Sequence, residues 1–124
     1  MRISHKEFED AVERALEMIP AMFRAQLNNM TIAVEELPSR DLLREMDVPP
    51  GETLFGVFTG VPLPERSVTE PPLYPDVILI FREPLMNACH SYEELEEEIA
   101  ITVVHELAHY LGLSEERLEE LGYG

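Results

Sequence analysis

The chain has little cysteine, no tryptophan and no long apolar segment. Its 124 residues include one cysteine, Cys89. A single thiol excludes an internal disulfide and is typical of a reducing compartment. No apolar run reaches the ~18 residues of a membrane span, and the N-terminus lacks the apolar stretch of a signal peptide. We therefore predict a cytoplasmic protein that does not cross a membrane.

Basic residues are scarce as well. The chain has 9 Lys and Arg against 25 Asp and Glu, a formal net charge of −16 at pH 7. Such a chain repels the phosphates of nucleic acid instead of binding them with release of counterions, so we exclude nucleic acid as a partner. Basic peptides or proteins are favoured, because an acidic surface attracts cations over a long range. Solubility alone explains the same charge equally well.

The length is that of one domain, and we predict a single domain over residues 1–124. Apolar residues at steps of three and four predict a long amphipathic helix from Ser4 to about Asn28, in which Pro20 can introduce a kink. Three short strands and two short helices follow from the local patterns. The strands are predicted at 31–35, 53–59 and 76–81, the helices at 39–45 and 115–121, and a proline-rich loop at 61–75. This order indicates an α+β fold.

The most informative feature is the run His105-Glu106-Leu107-Ala108-His109, which has the pattern HExxH. On an α-helix its two histidines lie one turn apart, about 40° from each other around the axis, so both imidazoles can bind one ion. Glu106 lies about 100° around from His105, where its carboxylate can take a proton from a water bound to that ion. The pattern predicts zinc-dependent hydrolysis, with His105 and His109 as metal ligands and Glu106 as general base.

The residues around this motif support a metal site. From 99 to 111 the chain is apolar almost all round a helix, which is typical of a segment buried in a core. Ser91 and Glu94 have the spacing of a capping box and predict where this helix begins. Uncompensated polar groups in such a helix are costly, and a bound zinc ion would compensate them. The alternative is a pair of structural core histidines beside a buried glutamate.

A third zinc ligand is predicted just after the motif. Gly112 can end the helix, because glycine enters the left-handed region without penalty, and Ser114 can cap a last short helix. In the string HExxHxxGxxE, Glu115 has the spacing of the third ligand of compact zincins. Two histidines and a glutamate leave the fourth position of a catalytic zinc open for water. Glu116 is the alternative ligand, since acids are favoured in a first helical turn anyway.

The chain resembles the small single-domain zincin-like metallopeptidases known as minimal zincins. The resemblance covers most of the chain and is carried by the segments 60–67, 75–81 and 105–122. The last segment is specific to zincins, and the other two are less specific. The family often has aspartate at the position of Glu115. The resemblance implies a zincin-like minimal fold with a long N-terminal helix, a small mixed three-stranded sheet, a buried active-site helix and a short C-terminal helix.

The predicted activity is hydrolysis of peptide bonds by a zinc-activated water. Zn²⁺ is held by His105, His109 and Glu115, and Glu106 takes the proton of the water and returns it to the leaving amine. By analogy with larger zincins, the substrate lies extended along the strand at 53–59. Four residues are candidates to stabilise the oxyanion: Arg66, Tyr74, Tyr110 and Tyr123. A zinc-binding interaction module without useful activity and a hydrolase of non-peptide substrates are the alternatives, and the oligomeric state is not predicted.

Overall fold

The computed structural model of the protein describes residues 1–60 and 76–123. Six helices and three strands occur in these ranges, and they form an α+β fold, as predicted. The elements are α1 His5–Met18, α2 Ala21–Leu27, β1 Thr31–Glu35, α3 Arg40–Glu45, β2 Gly56–Thr59, β3 Val77–Phe81, α4 Arg82–Ala88, α5 Tyr92–Leu111 and α6 Glu115–Glu120. The predicted loop at 61–75 lies outside the described residues.

The N-terminal helix is divided at a proline. Ser4 begins α1 with a complete capping box, in which its hydroxyl accepts from the Glu7 N–H at 3.1 Å and the Glu7 carboxylate accepts from the Ser4 N–H at 2.8 Å. The helix ends at Ile19, whose backbone is extended (φ −73°, ψ 136°). A following proline favours this conformation, because its ring clashes with a helical residue before it. Pro20 therefore splits the predicted helix into α1 and α2.

The sheet is small and mixed, as predicted, with the strand order β1-β3-β2. β1 runs parallel to β3, with Thr31 opposite Val77, and β2 runs antiparallel to β3. Within the described sheet, β2 is therefore an edge strand. It begins at Gly56, three residues later than predicted. The centre of the sheet is β3, in which Ile78 and Ile80 are completely buried.

The helix that carries the HExxH motif, α5, is the central element of the fold. It packs against α1, α2 and α4 on one side and against β2 and β3 on the other. This explains why its sequence is apolar almost all round, since nearly every face meets another element. Leu95, Ile99, Val103 and Leu107 follow one another at four-residue steps and are completely buried. The prediction that the helix carrying the motif is buried is confirmed.

One helix, α4, was not predicted. It contains Pro84 in its first turn, where a missing N–H is tolerated because those N–H groups have no partner within the helix. Leu85 and Met86 anchor α4 in the core. Cys89 follows directly and is also buried, and burial raises the pKa of its thiol. The neutral, buried thiol is therefore a core residue rather than a nucleophile.

Candidate active site

The position of the motif follows from how α5 begins and ends. Ser91 caps the helix, and its hydroxyl accepts from the Glu94 N–H at 3.1 Å. The Glu94 carboxylate accepts from the N–H of His90, one residue before the predicted partner. At the other end Gly112 adopts the left-handed conformation (φ 73°) that the sequence predicted. The motif thus occupies the last two turns of a helix that is fixed at both ends.

The carboxylate of Glu106 is held between α5 and the sheet. Only 12% of its side chain is exposed. Its Oε1 accepts a hydrogen bond from the backbone N–H of Phe58 in β2 at 2.8 Å. A hydrogen bond to a charged group contributes about 1.5–3 kcal/mol. The contact therefore fixes the direction of the side chain that the sequence identified as the general base.

The outer edge of β2 borders the motif. In an antiparallel pair, opposite residues alternate between those that bond each other and those whose N–H and C=O point away from the partner strand. The Phe55 carbonyl accepts from the Phe81 N–H at 2.8 Å, so Gly56 and Phe58 are the outward-pointing residues of β2. The hydrogen bond from Phe58 to Glu106 agrees with this alternation. The outer edge of β2 thus lies against α5, beside the proposed base.

A glycine allows β2 to approach α5 this closely. A Cβ atom at Gly56 would lie 2.7 Å from Cγ2 of Thr102 in α5 and 2.8 Å from the carbonyl oxygen of Leu79 in β3. Both distances are shorter than van der Waals contact. Any other residue at this position would therefore push the edge strand away from the helix or from its partner strand.

The two histidines lie on the same side of α5 but have different surroundings. His109 is half-exposed, and its Nδ1 lies 3.4 Å from Oε1 of Glu106. The hydrogen bond with the Glu106 carboxylate raises the pKa of His109 above its ordinary value, against the opposing effect of burial. His105 is partly buried, and its Nε2 contacts the carbonyl oxygen of Tyr123. The carbonyl therefore occupies the side of the ring from which Nε2 would reach a metal.

The two candidate third ligands, Glu115 and Glu116, are both exposed in the first turn of α6. Ser114 caps that helix, as predicted, by accepting from the Arg117 N–H at 3.1 Å. Of the two acids, Glu115 is the one whose charge contributes to the raised pKa of His109. In the ranges 1–60 and 76–123 no three His, Cys, Asp or Glu side chains meet around one point. The choice of Glu115 therefore stays a prediction.

The predicted ligands are of the chemical types that bind zinc. Two imidazoles one turn apart on one helix, with a carboxylate after a short turn, are the nitrogen and oxygen ligands that catalytic zinc takes from proteins. Glu106 is turned towards β2 by its hydrogen bond with Phe58, as suits a base that is not itself a ligand. His105, His109 and Glu115 are brought to the same end of α5 but do not converge. Binding through Nε2 of His105 would require the carbonyl of Tyr123 to give way.

A cleft opens beside the motif, between the segment 51–56 and α5. Its volume is about 500 Å³, and both His105 and Glu106 line it. The segment 53–55, predicted as the first part of a strand, forms one wall of this cleft instead. The predicted substrate strand is therefore divided into a cleft wall and the edge strand β2.

Two contacts of the site were not predicted because they join distant parts of the chain. They are the N–H of Phe58 on Glu106 and the carbonyl of Tyr123 on His105, and both are backbone groups that a sequence motif does not identify. Among the residues proposed for the oxyanion, Tyr110 is buried, with its ring centre 5.6 Å from that of Phe58. Arg66 and Tyr74 lie outside the described residues.

Comparison with known proteins identifies the family of the chain. A family model described as zincin-like metallopeptidase matches residues 27–124, which include β1 to α6 and the whole motif. The chain belongs to the zincin-like metallopeptidase family. No curated protein matches the chain. Membership in the family supports the resemblance that the motif carried and implies metal binding at the level of the family.

The fold also occurs in a solved structure. A conserved hypothetical protein from T. thermophilus matches with a TM-score of 0.56 and 21% sequence identity, over 96% of this chain and 97% of that one. At this identity the likeness shows the shared fold alone. In the part of the chain that the structure describes, no helix is both long and apolar enough to cross a membrane.

Proposed function

We propose that this member of the zincin-like family is a zinc-dependent peptidase with Glu106 as its general base. The observation that carries the proposal is the place of the Glu106 carboxylate. It is largely buried, lies between two histidines of one helix, is oriented by the N–H of the edge strand and lines a cleft. A carboxylate held in this way is suited to proton transfer at a fixed point.

In this proposal His105, His109 and Glu115 hold Zn²⁺. When bound, the ion polarises the substrate carbonyl and lowers the pKa of a bound water to about 7. Oε1 of Glu106 is engaged by the Phe58 N–H, and no hydrogen bond from a described residue engages Oε2. Oε2 therefore accepts the proton of the attacking water and later donates it to the leaving amine. The hydrogen bond from Phe58 restricts the orientation of this carboxylate, which belongs to a residue that lines the cleft.

In this proposal the peptide substrate lies extended in the cleft between the segment 51–56 and α5, which His105 and Glu106 line. On β2 itself the outward N–H of Phe58 already bonds Glu106, and Gly56 is buried against α5. Main-chain hydrogen bonds with the cleft wall at 53–55, the first part of the predicted substrate strand, can hold the peptide extended. A peptide in this position passes directly beside the base.

A zinc-stabilised interaction module without turnover is the second candidate. The net charge of −16 favours it, because an acidic surface attracts basic partners over a long range whether or not it cleaves them. The cytoplasmic location is part of either proposal and is supported by the single, buried thiol.

Glu106→Gln tests the proposed function. Glutamine keeps an oxygen that can accept from the Phe58 N–H, so the fold and the zinc content are expected to survive. Cleavage of a peptide library should fall by about 10²–10⁴-fold, the usual contribution of general acid-base catalysis. Glu97→Gln is the matched control, because Glu97 is an exposed acid of the same helix.

The peptidase proposal fails if Glu106→Gln cleaves as fast as the wild type. Cleavage that is insensitive to 1,10-phenanthroline in the wild type would also contradict it. An interaction module predicts a different result: zinc is bound, no peptide is cleaved, and Glu106→Gln changes neither stability nor partner binding.

A further inference from the structure

The cleft beside the motif is lined by more acidic residues than the proposed catalysis requires. Three carboxylates line it, those of Glu52, Glu98 and Glu106, and no Lys or Arg among the described residues does so. Glu106 is explained by its proposed role as the base. Glu52 and Glu98 have no role in that chemistry, so their presence at the cleft calls for a separate explanation.

Glu98 occupies a defined place relative to the motif. It lies seven residues before His105 on α5, which is close to two full turns, so the two side chains are on the same face of the helix. Their separation along the axis is about 10 Å. An extended peptide covers this distance in about three residues. Glu98 is therefore within reach of a substrate residue on one side of the bond at Glu106.

The negative charge of Glu98 is not neutralised within the described residues. Glu96, two residues earlier, forms an ion pair with Arg14 at 3.1 Å. Neither Glu98 nor Glu52 takes part in any ion pair between described residues. Glu98 is also only partly exposed, so its carboxylate is less well screened by water than one on the open surface. The charge at this end of the cleft is available to a cation.

Between Glu98 and the motif the wall of the cleft is largely apolar, with Thr53 and Thr102 as its uncharged polar residues. Ile101 continues the face of α5, and Leu54 and Phe55 form the facing wall. A lysine or arginine side chain has this same division, with an apolar stem and a charged head. An apolar ligand would leave the carboxylates without partners, and an acidic ligand would be repelled. The lining of the cleft therefore matches a basic side chain in both its parts.

We infer that this cleft is a specificity pocket for a lysine or arginine side chain, located within three residues of the scissile peptide bond. The stem packs against Ile101 and Phe55, and the charged head pairs with Glu98, with Glu52 adding to the field. The inference rests on the proposed peptidase function for the position of the scissile bond. This pocket differs from general attraction by an acidic surface, because the preference for Lys or Arg is assigned to the single side chain of Glu98.

Matched variants on one helix test the inference. Glu98→Gln and Glu98→Arg change the charge at the cleft, and Glu97→Gln and Glu97→Arg make the same change to the net charge at an exposed neighbour outside it. The substrates are fluorescent peptides that differ only by Lys, Gln or Glu at one position. Their affinity for each variant is measured in the Glu106→Gln background, and their rate of cleavage by each variant is measured with Glu106 intact. The binding arm requires no turnover.

Glu98→Gln is expected to weaken binding of the lysine peptide by about five- to tenfold, as for a partly buried charged pair. The change with the glutamine peptide and the change at Glu97 should both stay below about twofold. Glu98→Arg should reverse the order, so that the glutamate peptide binds better than the lysine peptide.

Equal effects at Glu97 and Glu98 would overturn the inference in favour of general steering, as would equal binding of the lysine and glutamine peptides to the parent protein. The two proposals fail separately. If no peptide is cleaved but lysine peptides bind in a Glu98-dependent manner, the peptidase proposal fails, and the pocket stands as a binding site for a basic side chain without a scissile bond beside it. If peptides are cleaved without regard to Glu98, the pocket fails and the peptidase proposal stands.

Discussion

Gly56→Ala is the substitution that tests most sharply how the edge strand positions the site. An alanine Cβ would lie 2.7 Å from Cγ2 of Thr102 and 2.8 Å from the carbonyl oxygen of Leu79. The first distance is about 0.8 Å shorter than the ~3.5 Å at which carbon atoms pack. Since one neighbour is backbone, a rotamer change cannot remove both clashes. β2 must shift away from α5 by several tenths of an ångström.

Overpacking of this kind destabilises by about 1–3 kcal/mol. For a domain of this size, each kcal/mol lowers the melting temperature by roughly 4 °C, so we expect a decrease of about 4–12 °C. The same shift lengthens the hydrogen bond between the Phe58 N–H and Glu106. A misplacement approaching 1 Å at a catalytic group can reduce activity by about 10²-fold. Activity should therefore fall by more than the loss of folded protein explains.

Thermal unfolding by circular dichroism and peptide cleavage well below the melting temperature measure the two effects. Thr102→Ser is the matched partner, because serine lacks Cγ2 and keeps the hydroxyl that donates to the Glu98 carbonyl at 2.8 Å. The double variant should recover part of the lost stability, and the contact with Leu79 should prevent full recovery. A Gly56→Ala protein with an unchanged melting temperature and unchanged cleavage would refute the close approach of β2 and α5.

Three further predictions concern the residues around the motif. Glu115→Ala should weaken zinc binding strongly in a chelator competition while Glu116→Ala leaves it nearly unchanged, and the opposite order would make Glu116 the ligand. In the zinc-free protein the pKa of His109 should lie above 6.5, because the Glu106 carboxylate stabilises its charged form. The contribution of this interaction to the free energy of unfolding is present below about pH 6.5 and is lost as the pH rises through the pKa of His109 in the folded protein. An NMR titration in which Glu106→Gln leaves the pKa of His109 unchanged would contradict this role of Glu106. Tyr123→Ala removes the ring that packs edge-on against Phe23 at 6.2 Å and loosens the carbonyl on His105. Zinc affinity should then rise by about 2–10-fold, the worth of one competing hydrogen bond, and a fall in affinity would count against this role.

The sequence predicted best those features that depend on neighbouring residues. Ser91 and Gly112 mark the two ends of α5, and each acts through local backbone geometry that any chain of this composition shares. β1 and α3 were also predicted with their observed residues, because alternating apolar residues and the cap Ser39 are local signals. The spacing of His105 and His109 is likewise set by the helix alone.

Features that depend on competition between local and distant contacts were predicted less well. Pro20 was predicted to kink one long helix, but the structure has a break there, and α1 and α2 pack separately against α5. α4 was missed because Pro84 obscures a helix whose stability comes from the buried Leu85 and Met86. Gly56, at which β2 begins, lies close to Thr102, which is far along the chain, and the local pattern contains no information on this contact.

In the site, too, features set by neighbouring residues were predicted and contacts between distant residues were not. Position on a helix was enough to identify His105, Glu106 and His109 as neighbours, but it contains no information on the backbone groups that approach them. The N–H of Phe58 comes from a residue 48 positions away, and it determines which oxygen of Glu106 is engaged. The carbonyl of Tyr123 reaches His105 only because the chain turns back after Gly112.

Zinc content per chain is the decisive measurement for the site, since every proposed role depends on the motif holding the metal. The protein is purified without chelators, loaded with one equivalent of zinc, dialysed and measured by elemental analysis beside a His105→Ala, His109→Ala double variant. We expect about one zinc ion per wild-type chain and none in the double variant. Full zinc occupancy in the double variant would contradict this expectation, because the metal would then be held by residues other than the motif.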